Sequence, residues 1–116
     1  HAEGYAAGEL KHGPIAMVDP SMTIVVLAPK DALYEKNISN LQEVKARGGR
    51  IIGIGNRGDQ QLAGLSDHFV GLDFAGDWSD AVLATIPLQL LSYHAAVLKG
   101  TDVDKPRNLA KSVTVE

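Results

Sequence analysis

The sequence predicts an α/β fold, a three-layer αβα sandwich built on a parallel, Rossmann-like sheet and truncated at its amino-terminal side. Three observations predict it. Residues 23–28, TIVVLA, are a continuous apolar, β-branched run, as expected of a strand covered on both faces. Two further short apolar runs, RIIGI at 50–54 and HFVGL at 68–72, follow it. Helical periodicity lies after the first and third runs, which gives strand, helix, strand, connection, strand, helix, the order of a parallel sheet.

Taken in order, residues 2–17 have helical character weakened by Gly4, Gly8 and Gly13. Gly13-Pro14 punctuates this stretch, and a short helix restarts at Pro14 because proline suits a first helical turn. Pro29 ends the first strand. Asp31 is expected to cap a helix running to about Arg47, with Leu33/Tyr34, Ile38, Leu41 and Val44 at helical spacing and Gly48-Gly49 as its stop. DQQLAGLSD, after the second strand, gives no convincing long helix. A long helix is expected from about Ser79 to Lys99. Its apolar residues lie nearly all round, which predicts a central, buried element, and Pro87 either bends it or marks its first turns. Thr85, Pro87, Gln89, Ser92 and His94 interrupt the apolar stretch Ala81–Leu98, so it reads as a core helix rather than a membrane span. Three strands make a small sheet, and the remainder is expected upstream. Residues 1–100 thus form a partial module and 101–116 a polar tail, in which SVTVE places Val113 and Val115 on one face.

Composition narrows the function. The chain of 116 residues fits one domain with a sizeable core. Net charge is −3 without a Lys/Arg stripe, which argues against nucleic acid or an anionic membrane as partner. There is no cysteine, so disulfides, thiolate metal sites and a thiol nucleophile are excluded within the chain. The first residue is His1, and HAEGYAAGELKHG has neither a basic n-region nor an apolar h-region. The start therefore reads as a cut inside a longer protein rather than a signal peptide.

Gly53-x-Gly55-x-x-Gly58 follows the second strand, where a dinucleotide fingerprint would stand. The context fails, because no long helix follows and the acidic residue about twenty positions on, Asp77, lies past the next strand. A glycine-rich turn is the simpler reading. His1, His12, His68 and His94 include no i, i+4 pair and no HExxH, so no metal site is expected. His94 reads as a satisfied core residue and His68 as a surface residue. His12 sits in GELKHGP, where a loop-placed imidazole suits acid–base work near neutral pH, although a structural histidine is the commoner role. Lys111, in NLAKSVTVE, is by composition a solvated tail lysine. It becomes an imine-forming nucleophile only if its surroundings lower its pKa.

HAEGYAAGELKHGP (residues 1–14) and IPLQLLSYHAAVLKGTDVDKPRNLAKSVTVE (residues 86–116) resemble the isomerase domain of the glutamine:fructose-6-phosphate amidotransferase family. The likeness runs end to end, most specifically in these two segments. It implies the second of two tandem sugar-isomerase (SIS) modules plus the carboxy-terminal tail of a cytoplasmic enzyme. That enzyme makes glucosamine 6-phosphate from fructose 6-phosphate and glutamine. It further implies that Lys111 forms the imine, that His12 opens the sugar ring in the site of the neighbouring subunit of a homodimer, and that Ala110 lies against the sugar. No cofactor is implied. The glutamate base, most of the Ser/Thr-rich phosphate loop, the first module and the amino-terminal glutaminase domain would lie outside this chain, so the fragment alone is expected not to catalyse isomerisation. A non-catalytic sugar-phosphate-binding module of the same fold is the alternative.

Overall fold

A computed structural model describes residues 1–105; Ala110, Lys111 and the SVTVE segment lie outside the described residues. Three parallel strands, β1 (Thr23–Ala28), β2 (Arg50–Asn56) and β3 (His68–Leu72), form one sheet in the order β1-β2-β3. The register pairs Thr23 with Arg50 and Ile52 with His68. Helices α1 (Tyr34–Lys45) and α2 (Gln60–Leu65) connect the strands, and α3 (Ser79–Leu98) follows the last one. The parallel α/β class is the one expected, and the three strands fall where the apolar runs place them.

The core lies on the sheet face that carries Ile24, Val26, Ala28, Ile51 and Phe69. Tyr34, Ile38, Leu41 and Val44 of α1, and Leu62 of α2, pack there. The α1 residues recur at spacings of three and four, so one helical stripe meets the strands. β2 is central, and Ile51, Gly53, Ile54 and Gly55 are all buried. On the core side of β2 two glycines leave bare backbone. A Cβ on Gly55 would stand 2.5 Å from Leu62 Cδ2 and 2.9 Å from the Ala28 carbonyl oxygen. One on Gly53 would stand 2.2 Å from Ser66 Oγ and 3.1 Å from Leu62 Cγ. These glycines admit α2 to close contact with the sheet.

Two expectations need correction, the capping by Asp31 and the burial of α3. Asp31 does not cap α1: the helix starts at Tyr34 without a side-chain cap, and Asp31 Oδ1 instead accepts the Leu33 amide at 2.7 Å in the preceding turn. The segment before β1 is two 3-10 turns, Ala7–His12 and Pro14–Met17, separated at Gly13, at φ 147, with the restart at Pro14 that the sequence predicts. α2 has only 6 residues, in keeping with the absence of a long helix in DQQLAGLSD. Finally, α3 has no buried residue. Val82, Ile86, Leu90, Tyr93 and Val97 form an exposed stripe, and His94 is exposed too, stacked edge-to-face on Tyr93 at 5.3 Å. The cause is a lack of covering atoms: the core face of the sheet is already filled by α1 and α2, and no described element packs along the 20 residues of α3. By length and apolarity α3 also meets the minimum for a membrane span.

Gly55→Ala is expected to destabilise the protein by about 1–3 kcal/mol, because its methyl group would be wedged between the Leu62 side chain and the rigid Ala28 carbonyl. Chemical denaturation measures this, and an unchanged midpoint would show that α2 can lift without cost.

Candidate functional site

Parallel sheets of this kind bind ligands beyond the carboxyl ends of their strands, and a cavity of about 390 Å³ lies there, lined by Pro29, Lys30, Asp31, Asn56, the 74–77 loop and Asp80. Its walls are held by short polar contacts. Asn56 Oδ1, at the end of β2, accepts the Lys30 amide after β1 at 2.6 Å. Asp80, in the first turn of α3, accepts the amides of Ala75 and Gly76 at 2.8 Å each. Arg57 donates to Asp73 through Nε at 2.8 Å and through a terminal nitrogen at 3.1 Å. The Asp73 carboxylate holds the guanidinium above its ordinary pKa, and the guanidinium holds Asp73 below its own. Both side chains are well exposed, so the pair steers loop geometry more than it stabilises the fold.

Near this cleft lies the one buried carboxylate among the described residues. Asp59 is 1% exposed. Its carboxylate caps α2, with Oδ1 accepting the amides of Gln61 and Leu62 at 3.1 Å each. Burial alone would raise its pKa; the neighbouring Tyr34 hydroxyl, the Leu62 amide, the Lys30 charge and the Gln61 amide outweigh burial and hold it below the ordinary 3.8. The Tyr34 hydroxyl is pushed up, by burial first and by Asp59 second. Neither Tyr34 Oη nor Asp59 Oδ2 has a well-aligned hydrogen bond. They are neighbours that stabilise ionised Asp59 beside neutral Tyr34 rather than a tight pair.

This geometry explains the glycine motif without a nucleotide. Gly53 and Gly55 face Leu62 and Ser66, Gly58 makes the turn at φ 80, and a carboxylate already occupies the α2 amino terminus, where a pyrophosphate would meet like charge. Sequence reading missed Asp59 as a cap. Its signal was Asp59 followed by Leu62 and Leu65, an acidic cap before apolar residues three apart.

Of the three residues singled out for chemistry, the structure describes His12 alone. It is the last residue of the first 3-10 turn and is exposed. Leu10 of the same turn packs against the core, and Lys11 Nζ lies 2.6 Å from Glu43 Oε1 on α1. Gly13 and Pro14 then turn the chain away. A second cavity, of about 730 Å³, runs along Gln89, Ser92, Tyr93 and Ala96 of α3 to residues 101–103 and Lys105. Lys105 is the last described residue before the segment that bears Ala110 and Lys111. Among the described residues no cluster of three or more His, Asp or Glu is placed to hold a metal. His68 is exposed at the start of β3.

The sequence profile of the SIS domain family matches residues 1–99. The chain is 61% identical over 116 residues to the glutamine–fructose-6-phosphate aminotransferase [isomerizing] of Pseudomonas aeruginosa, covering all of this chain and 19% of that protein. It is 53% identical over 116 residues to the same-named protein of Thermus thermophilus, again over all of this chain and 19% of the relative. Among solved structures, the C-terminal domain of glucosamine-fructose-6-phosphate aminotransferase from Francisella tularensis superimposes with a TM-score of 0.83 at 51% identity, over 90% of this chain and 30% of that one. The chain thus spans about a fifth of the length of these curated relatives.

Replacing Asp59 tests the buried cap. Asp59→Ala is expected to cost about 1–2 kcal/mol at pH 7. Asp59→Asn keeps an oxygen at the cap and should cost less. Because the folded-state pKa is depressed, the carboxylate's contribution is complete above the unfolded-state value and is lost as pH falls through the lower folded-state value. The stability gap between wild type and Asp59→Asn should therefore be constant near neutrality and close below about pH 4. A gap independent of pH would contradict this role.

Proposed function

This chain belongs to the SIS domain family, and we propose that it is the carboxy-terminal isomerase module of a glutamine–fructose-6-phosphate aminotransferase, working in the cytoplasm as part of a longer homodimeric enzyme. The observation that carries this reading is identity of 53–61% along the whole chain to proteins bearing that name, including the segments that hold His12 and Lys111.

The reaction assigns each residue a task. Fructose 6-phosphate is a closed ring, and its carbonyl must first be uncovered. A proton leaves the anomeric hydroxyl at C2, the bond from C2 to the ring oxygen breaks, and the ring oxygen takes up a proton. An imidazole is suited to move that proton near neutral pH. We assign the step to His12, whose exposed position at the end of a turn fits a residue that reaches into the neighbouring subunit's site. The Lys111 amine then adds to the C2 carbonyl and water leaves, giving an imine. Ammonia displaces the lysine. A proton removed from C1 and one delivered to C2, with the C1 hydroxyl proton given up and one gained by the nitrogen, complete the ketose-to-aldose change and yield the 2-amino aldose phosphate. Ala110, next to Lys111, would line the sugar. The base for the C1 proton, the phosphate cradle and the ammonia source belong to parts of the enzyme beyond this chain, so the 116-residue chain alone is not a catalyst.

A non-catalytic module that only binds sugar phosphate would use the same fold without an amine nucleophile. Lys111→Arg in the full-length enzyme separates the two readings, because the guanidinium keeps the charge but cannot form the imine. The expected outcome is loss of glucosamine 6-phosphate synthesis with sugar-phosphate binding retained; normal turnover would remove Lys111 from the mechanism. His12→Asn should lower kcat by roughly 10²–10⁴-fold, the usual span for a general acid–base residue.

A further inference from the structure

His12 ends a 3-10 turn with no buried residue of its own, so the placement of its imidazole depends on what grips that turn. Two contacts reach it from the body of the domain. Leu10 packs against the core. Lys11, the residue directly before His12, pairs with Glu43 of α1 at 2.6 Å, and among the described residues it is the one ion pair that ties this turn to another element. Glu43 stands one residue before Val44, which is 1% exposed in the core, so the carboxylate rises from a firmly seated part of α1. On the far side Gly13, at φ 147, and Pro14 fix the exit of the chain.

From this arrangement we infer that Glu43 is a positioning residue for ring opening: acting through Lys11, it holds the backbone of His12 where the imidazole can exchange a proton with the ring oxygen. The inference rests on the assignment of His12 to that step. Lys11 is 50% and Glu43 37% exposed, and a pair this open contributes little to global stability. A displacement of about 1 Å at a reacting group, by contrast, costs up to ~10²-fold in rate. Loss of the pair should therefore spare the fold and slow one chemical step.

The test uses the full-length enzyme carrying Glu43→Gln, Lys11→Met, both together, or the charge swap Lys11→Glu with Glu43→Lys. His12→Asn serves as reference. Each enzyme is assayed with fructose 6-phosphate and with its 5-deoxy analogue, which lacks the hydroxyl that closes the furanose and so needs no ring opening. Each single substitution should lower kcat on fructose 6-phosphate by about 3–5-fold, the most that so exposed a pair can supply, with KM nearly unchanged. The double substitution should be no worse than either single one, because the pair acts as a unit. The swap should restore part of the rate. Turnover of the analogue should stay within about twofold of wild type, and the melting temperature within about 2 °C.

Wild-type kcat in Glu43→Gln alongside a slow His12→Asn would overturn the role of Glu43 and leave that of His12 standing. Wild-type kcat in both would overturn the assignment of His12 itself. Equal slowing on both substrates with a fallen melting temperature would make the pair a purely structural contact.

Discussion

The structure depends on how closely one short helix can approach the central strand. β2 is bare on its core side at Gly53 and Gly55, and Leu62 of α2 fills that space. The contact puts Leu62 in one cluster with Ile51, Ala28 and the buried stripe of α1. It also fixes where α2 begins, and so where Asp59 must stand to cap it. From that cap follow the buried carboxylate beside Tyr34 and the turn that carries Arg57 toward Asp73. The buried cap at the start of α2 thus follows from two missing side chains.

Much of the fold was legible from the chain, and the reasons differ by element. TIVVLA, RIIGI and HFVGL announce strands because each is apolar, β-branched or aromatic, and bounded by turn residues. α1 is legible through Ile38, Leu41 and Val44. α2 escapes because six residues containing Gly64 offer too little periodicity, and only its acidic cap marks it. The amino-terminal segment is legible through Gly4, Gly8 and Gly13, which weaken a helix and leave no run long enough to nucleate a long one, and through Pro14, where a short turn restarts. The error over α3 is the most instructive. Its all-round apolar surface predicts burial, but burial requires covering atoms, and the described residues supply none for Val82, Ile86, Leu90 and Val97. Sequence pattern records the environment for which a helix was selected, and a three-stranded sheet does not provide that environment.

The same distinction governs the site. His12 and Lys111 lie at opposite ends of the chain, and neither spacing nor composition marks them as partners. A lysine in a polar tail and a histidine at the end of a short, glycine-flanked turn are ordinary residues until their surroundings are known. What local physics does supply is support: a core-anchored leucine, an ion pair and a glycine–proline exit hold the histidine's backbone, while its imidazole stays exposed. A side chain so placed is suited to a ligand carried by another chain.

The most direct test of the account asks which atom of the enzyme bonds to the sugar. The full-length enzyme is incubated with fructose 6-phosphate without an ammonia donor, reduced with borohydride to fix any imine as a secondary amine, digested, and mapped by mass spectrometry. One hexose-phosphate adduct, on Lys111, is the expected result. An adduct on a different lysine, or none from an enzyme that remains fully active, would contradict it.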